Sequence, residues 1–220
     1  MKVVSPSVEI IVMDDGPTIL KRIESAGRTC YKSENKITDA SAPAFVSKIL
    51  RTGHHSVIEH ASCTARIICD RGVTHEIVRH RLASYSQEST RYANYSDAKF
   101  GKEITVIRPC FWSDDSPAYA IWYESMLQAE RAYLALINQG ASAQQARSVL
   151  PNSLKTEIVI TCNLREWRHI FELRCDSSAH PQMREIMLPL LADMHARAAE
   201  LFADLYDKFK DDITSQSWKR

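Results

Sequence analysis

Four short strand-like runs, far apart and separated by helix-forming stretches, are the feature that most constrains how this chain can fold. They lie at residues 8–13, 60–70, 102–108 and 155–161, the last centred on Ile158, Val159 and Ile160. Helical stretches are expected at 18–26, 42–51, 73–80, 116–138, 143–149 and 164–174, with a last helix opening at Pro181. Its apolar face runs through Met183, Met187, Leu190, Met194, Leu201 and Leu205. Ser116-Pro117 is a strong helix start, because proline tolerates the first helical position. Asn163 sits where a cap for 164–174 would be needed. Trp122, Met126, Tyr133 and Ile137 share one side of the 116–138 helix. The expectation is an α+β fold with a mostly antiparallel sheet. No repeat, heptad run or interdomain linker divides it, so residues 1–220 read as a single domain, with 211–220 as a flexible tail.

Charge removes one broad class of function. Lys plus Arg number 28 against 27 Asp plus Glu, a net charge of +1. A general nucleic-acid surface should be more basic, so no stable nucleic-acid partner is expected. Six cysteines occur without any CxxC pair, and at 220 residues the chain can build a core without covalent staples. No secretory-type apolar run opens the sequence and no stretch reaches membrane-span length. A soluble, cytoplasmic protein without a membrane partner is expected.

Positive charge is concentrated locally instead. Arg79, His80 and Arg81 lead into a polar, hydroxyl-rich segment that reads as a loop over 82–95 and holds Ser84, Ser86, Gln87, Glu88, Ser89, Thr90 and Arg91. Guanidinium groups present fixed, multiple donors to phosphate oxygens. Serine and threonine add hydroxyls, and Gln87 can donate and accept, as recognition of a pyrimidine requires. A nucleotide site, an RNA contact and a solvated connecting loop are all compatible with this composition.

The ordered motifs discriminate further. Arg79-His80-Arg81-Leu82-Ala83-Ser84 resembles the Arg-His-Arg-x-x-Ser signature of the flavin-dependent thymidylate synthase (ThyX) family. The extended signature continues through Ser89 and Arg91, with Ser86 where the family carries Asn. The block from His54 to His60 looks like the family's upstream flavin block. Arg147-Ser148-Val149-Leu150-Pro151 and the stretch from Asn163 to Arg174 look like its later blocks, and the likeness spans roughly residues 28 to 187. Gln144-Gln145 stands where an acidic residue is frequent, so no Glu–Arg pair is available there.

The resemblance implies a compact ThyX-like fold and a reaction, dUMP to dTMP. It implies FAD as cofactor, NADPH as reductant and methylene-tetrahydrofolate as carbon donor. By motif, Glu76, Arg79, Gln87, Ser89, Thr90, Arg91, Arg147 and Arg174 are expected at the substrate, with Arg174 as the catalytic group polarising the pyrimidine. His54, Ser56, Glu59, Arg79, His80, Arg81, Asn163, Arg165, His169 and His180 are expected at the flavin. The resemblance also implies a homotetramer with shared active sites. A nucleotide- or RNA-binding protein retaining a related scaffold is the alternative.

Other chemistry has weaker support. His75 and His80 are five apart and diverge on an ideal helix, unlike the i,i+4 pair of HExxH, so no metal site is expected. No cysteine has a neighbourhood that selects it as a nucleophile. Trp112, Trp122 and Trp167 read as packing residues, and Arg165 and Arg168, three apart, share a helix face.

Overall fold

The computed structural model describes residues 1–219. Its centre is a four-stranded sheet in the order β2 (Ser7–Val12), β3 (Ser62–Asp70), β6 (Lys155–Asn163), β4 (Ala83–Gln87), antiparallel throughout. A separate two-stranded parallel ribbon joins β1 (Lys2–Val4) to β5 (Thr105–Ile107). The helices are α1 (Gly16–Thr29), α2 (Ala42–Arg51), α3 (Arg71–Ile77), α4 (Pro117–Asn138), α5 (Ala143–Ala146), α6 (Leu164–Arg174), α7 (Pro181–Arg197) and α8 (Ala199–Ser215).

Alternation along the strands gives the sheet two unlike faces. Cys63, Ala65 and Ile67 of β3 and Ile158, Ile160 and Cys162 of β6 are buried on one. The register puts Tyr85 beside Ile160 and Gln87 beside Ile158 on this same face. Helices α1, α2, α6, α7 and α8 complete that core. α7 is its centre: Met183, Met187, Leu190, Leu191 and Met194 are all fully buried. The other sheet face is polar and half-open. Arg66 lies 3.4 Å from Glu9 and 3.1 Å from Glu157 across the strands, and the Thr64 and Thr161 hydroxyls meet at 2.9 Å.

A second, smaller core forms under α4. Trp122, Met126 and Tyr133 pack with Ile104, Val106, Tyr95 and Leu154. Ser116 caps α4 by accepting from the Tyr119 N–H at 3.1 Å, and Pro117 follows at the first helical position, as the sequence requires. Tyr133 accepts from the Tyr95 N–H at 3.3 Å.

The structure departs from the sequence reading in several places, beginning with β1, which is not among the expected strands. The 82–95 segment is not all loop, because Ala83–Gln87 pairs with β6 as an edge strand. Its Ser-Tyr-Ser-Gln composition hides a period of two behind polar side chains. The last helix is two: Ala198 leaves helical geometry at φ −147°, separating α7 from α8. No Pro or Gly marks that break. The tail expected from 211 continues α8 to Ser215. Buried Arg184 draws it in, reaching Ser217 Oγ at 3.1 Å and Asp212 at 2.8 Å, and Trp218 is buried; Arg220 lies outside the described residues. Trp167 and Trp122 are core residues, but Trp112 is 37% exposed and meets Phe111 edge-on.

Candidate active site

The signature begins where α3 ends. Asp70 caps α3, its carboxylate accepting from the Val73 N–H at 2.7 Å. The chain then turns through Arg79, His80 and Arg81 into β4. Leu82 makes that turn with φ +67°, a left-handed conformation that costs a non-glycine residue about 1 kcal/mol. Its side chain is 81% exposed and borders a cavity of about 650 Å³. Tyr85, on the buried side of β4, lies with its hydroxyl 2.7 Å from the His80 carbonyl oxygen and 2.9 Å from that of Ile77, donating into this pair. The edge strand thus fixes the end of α3.

α6 supplies the facing wall. Its cap is Asn163, whose side-chain oxygen accepts from the Glu166 N–H at 2.8 Å. Glu166, His169 and Leu173 then recur on one side of the helix, with Arg174 in its last turn. Arg174 is gripped at three points. Its Nε donates to His80 Nε2 at 2.9 Å, its Nη1 to Glu76 Oε2 at 2.7 Å, and its Nη2 to the Glu76 carbonyl at 3.3 Å. Three of the five guanidinium N–H groups are used, leaving one on each terminal nitrogen. His80 is buried, and burial, reinforced by Arg174, His169 and Arg79, pushes its pKa down to about 4. His80 is therefore neutral near pH 7. Burial raises the Glu166 carboxyl, against the opposing pull of His169 and Arg165.

Three cavities meet along these elements. The largest, about 650 Å³, is bordered by Glu59, Leu82, Asn163, Arg165, Glu166 and His169, among others. One of about 480 Å³ shares Glu166 and His169 with it and adds Arg79, His80, Arg81, Leu173 and Arg174. One of about 360 Å³ is reached through Arg165 and contains His54 and Ser56. Most of the residues assigned to a flavin by motif thus border one groove. Glu59 and Arg165 pair at 2.6 Å. His180 is the exception. It caps α7 through Nδ1, 3.3 Å from the Gln182 nitrogen, and faces Phe111.

The remaining expected substrate residues come from the end of β4, the segment after it and the turn after α5. Gln87 Nε2 donates to Thr74 Oγ1 at 3.0 Å and Thr156 Oγ1 at 3.2 Å, so its amide oxygen is the end left to recognise a ligand. Ser89 Oγ accepts from the Arg91 N–H at 3.3 Å. Arg147 Nη1 donates to Thr90 Oγ1 at 3.4 Å, and Arg91 is exposed with its guanidinium 5.5 Å from the Tyr92 ring. None of these five residues borders the three cavities. Gln145, one of the two glutamines standing where an acidic residue is frequent, completes a capping box with Ser142, the N-cap of α5: its side-chain oxygen accepts from the Ser142 N–H at 2.9 Å.

Sequence reasoning passed over Glu166, Leu82 and Leu173. Only Glu166 carried a signal, its i,i+3 spacing to His169. Ligand atoms of His80, Glu166 and His169 fall within 4.8 Å of one another, a grouping with metal-ligand chemistry that spacing could not show. Arg168 is not a solvated charge: it grips Asp204 at 2.8 and 2.5 Å, tying α6 to α8. The six cysteines are free thiols, and burial pushes those of Cys63 and Cys110 up to about 12. No helix among the described residues is long and apolar enough to cross a membrane.

Comparison with known proteins places this geometry in a lineage. Residues 12–198 match the family model Thy1, described as thymidylate synthase complementing protein. A flavin-dependent thymidylate synthase from Geobacter sulfurreducens is 34% identical over 204 residues, covering 90% of this chain and 86% of that protein. One from Mycolicibacterium gilvum is 36% identical over 217 residues, covering 90% and 84%. One from Pyrococcus furiosus is 36% identical over 172 residues, covering 78% and 70%. A crystal structure of the UMP/dUMP methylase PolB from Streptomyces cacaoi superimposes with a TM-score of 0.77 at 18% identity, over 95% of this chain and 98% of that one. That likeness concerns the fold.

Proposed function

The chain belongs to the flavin-dependent thymidylate synthase family, and from that premise we propose that it converts dUMP to dTMP by the chemistry assigned here to its own residues. The observation that carries the reading is Arg174, gripped at three points with two N–H groups still free, beside a groove bordered by Arg79, Arg81, Arg165 and Asn163.

The groove has the donor set that FAD needs. Cationic Arg79, Arg81 and Arg165 suit a diphosphate. The Asn163 amide and His169 offer polar contacts, and Leu82 and Leu173 offer apolar wall for a ring system. His54, Ser56 and Glu59 would hold its remaining polar parts. When bound, the flavin supplies the redox step, with NADPH as electron source and methylene-tetrahydrofolate as source of the one-carbon unit.

The chain's part is binding, orientation and charge stabilisation. Arg91 and Arg147 would neutralise the dUMP phosphate, with Ser89 and Thr90 adding hydroxyl contacts. The free amide oxygen of Gln87 suits the N3–H of uracil. Glu76 holds Arg174 from behind, and Arg79 flanks the site. The free N–H groups of Arg174 would donate to a pyrimidine carbonyl oxygen as negative charge develops there. No thiol borders the cavity around Arg174, which fits a mechanism without a cysteine nucleophile.

We read the assembled enzyme as a homotetramer. The expected phosphate-binding residues lie outside the cavities around Arg174, and one face of the sheet is polar and half-open, both of which favour sites completed by a neighbouring copy.

The test is turnover by the purified oligomer with FAD, dUMP, methylene-tetrahydrofolate and NADPH, scored by dTMP. Product is expected. Flavin-loaded, folded oligomer that binds nucleotide without forming dTMP would instead favour a binding protein on a synthase scaffold.

A further inference from the structure

Arg174 is positioned by His80, and His80 has a partner of its own. An arginine Nε always bears a proton, so His80 Nε2, 2.9 Å away, must be the acceptor. In a neutral imidazole the ring proton then sits on Nδ1. That nitrogen faces Glu166 Oε1 at 3.7 Å. His169 stands edge-on to the same ring at a centroid distance of 5.9 Å and closes its other side. The order is Glu166 to His80 to Arg174, linking the first turn of α6 through the signature to its last turn.

We propose that Glu166 is a positioning residue for the synthase reaction: its carboxylate holds the Nδ1–H tautomer and ring orientation of His80, and His80 in turn aims the Arg174 guanidinium at the pyrimidine. This rests on the role of Arg174 proposed above. The competing use of the same groups, as ligands to a divalent cation, is opposed by charge. Arg174 already occupies His80 Nε2, and Arg79, Arg81 and Arg165 border the cavities that Glu166 lines. Repulsion from four guanidiniums works against a cation there, while an oriented, neutral imidazole is what an arginine donor requires. Carboxylates that face the far ring nitrogen of metal-ligating histidines fix ring orientation and tautomer in the same way.

The test is a double-mutant cycle in the flavin-loaded oligomer, read by kcat and by dUMP Kd. Glu166→Ala should lower kcat about tenfold, less than the roughly hundredfold that a full 1 Å misplacement of a reacting group can cost, and should weaken dUMP binding while flavin absorbance is retained. Glu166→Gln, whose amide oxygen can still turn its negative end toward Nδ1–H, should recover most of both. In an Arg174→Ala background, Glu166→Ala should change dUMP Kd less than twofold, because its only route is gone. Equal loss in both backgrounds, a Gln variant as impaired as Ala, or an unaffected Ala variant would each overturn the proposal. Wild-type protein that forms no dTMP counts against the synthase reading. The Kd cycle still decides whether Glu166 acts through Arg174.

Discussion

Arg174 and Arg147 hold the same functional group in opposite ways. Arg174 is clamped by an imidazole, a carboxylate and a backbone carbonyl, and one of the two residues that supply them, His80, is itself held through its carbonyl by Tyr85. Arg147 has one hydroxyl contact at 3.4 Å, on a short turn after a four-residue helix. A guanidinium whose ordering cost is met on folding can act on developing charge without reorganising. One left loose spends part of its binding energy on being ordered by the ligand. The first arrangement suits activation of a ring, the second capture of a phosphate.

Arg174→Ala should break the comparison most visibly. A fall in kcat of about 10²–10³ is expected, the scale seen when one preorganised donor is removed, with flavin retained. Flavin loss in parallel with turnover would assign Arg174 to cofactor binding instead. Arg147→Ala and Arg91→Ala should act on affinity: dUMP Kd is expected to rise about tenfold for each, from loss of a charge-assisted contact. That effect should shrink in high salt, because these exposed charges are screened. A change confined to kcat would place them with Arg174.

The clamped cluster should also have its own acid sensitivity. His80 titrates near 4 in the folded chain and near 6.5 unfolded. Between those values the unfolded chain binds more protons, so stability falls as pH drops from about 6.5 toward 4. Thermal melts across that window should show a shallower fall for His80→Gln, and an unchanged slope would remove His80 as its source. The smallest effect expected is Tyr85→Phe, about 1 kcal/mol of stability from one hydroxyl, checked by denaturant titration.

Legibility in the sequence divides along the same line. Capped and punctuated elements could be read: Ser116-Pro117 opens α4 and Asn163 opens α6 where expected, and Met183, Met187 and Met194 are core. What could not be read depends on tertiary pairing. β4 is a strand because β6 accepts it, against its polar composition. The α7–α8 break at Ala198 has no breaker residue. The motif named His80 and Arg174 as functional, but their 2.9 Å contact and the approach of Glu166 join residues 86 and 94 positions apart through the fold. Periodicity reports which face is buried; it carries no information on which polar groups from distant segments will meet there.

Asn163 has a consequence of its own. With its side-chain oxygen committed to starting α6, its amide hydrogens are the part of the side chain left unpledged beside the cavity it borders, so it is suited to address lone pairs. An aspartate would serve the helix equally well, since a carboxylate is a good cap and favours a helix start, yet would present charge where a donor belongs. Asn163→Asp therefore uncouples two demands on one side chain: the fold is indifferent to the exchange, and only a ligand could tell the two residues apart.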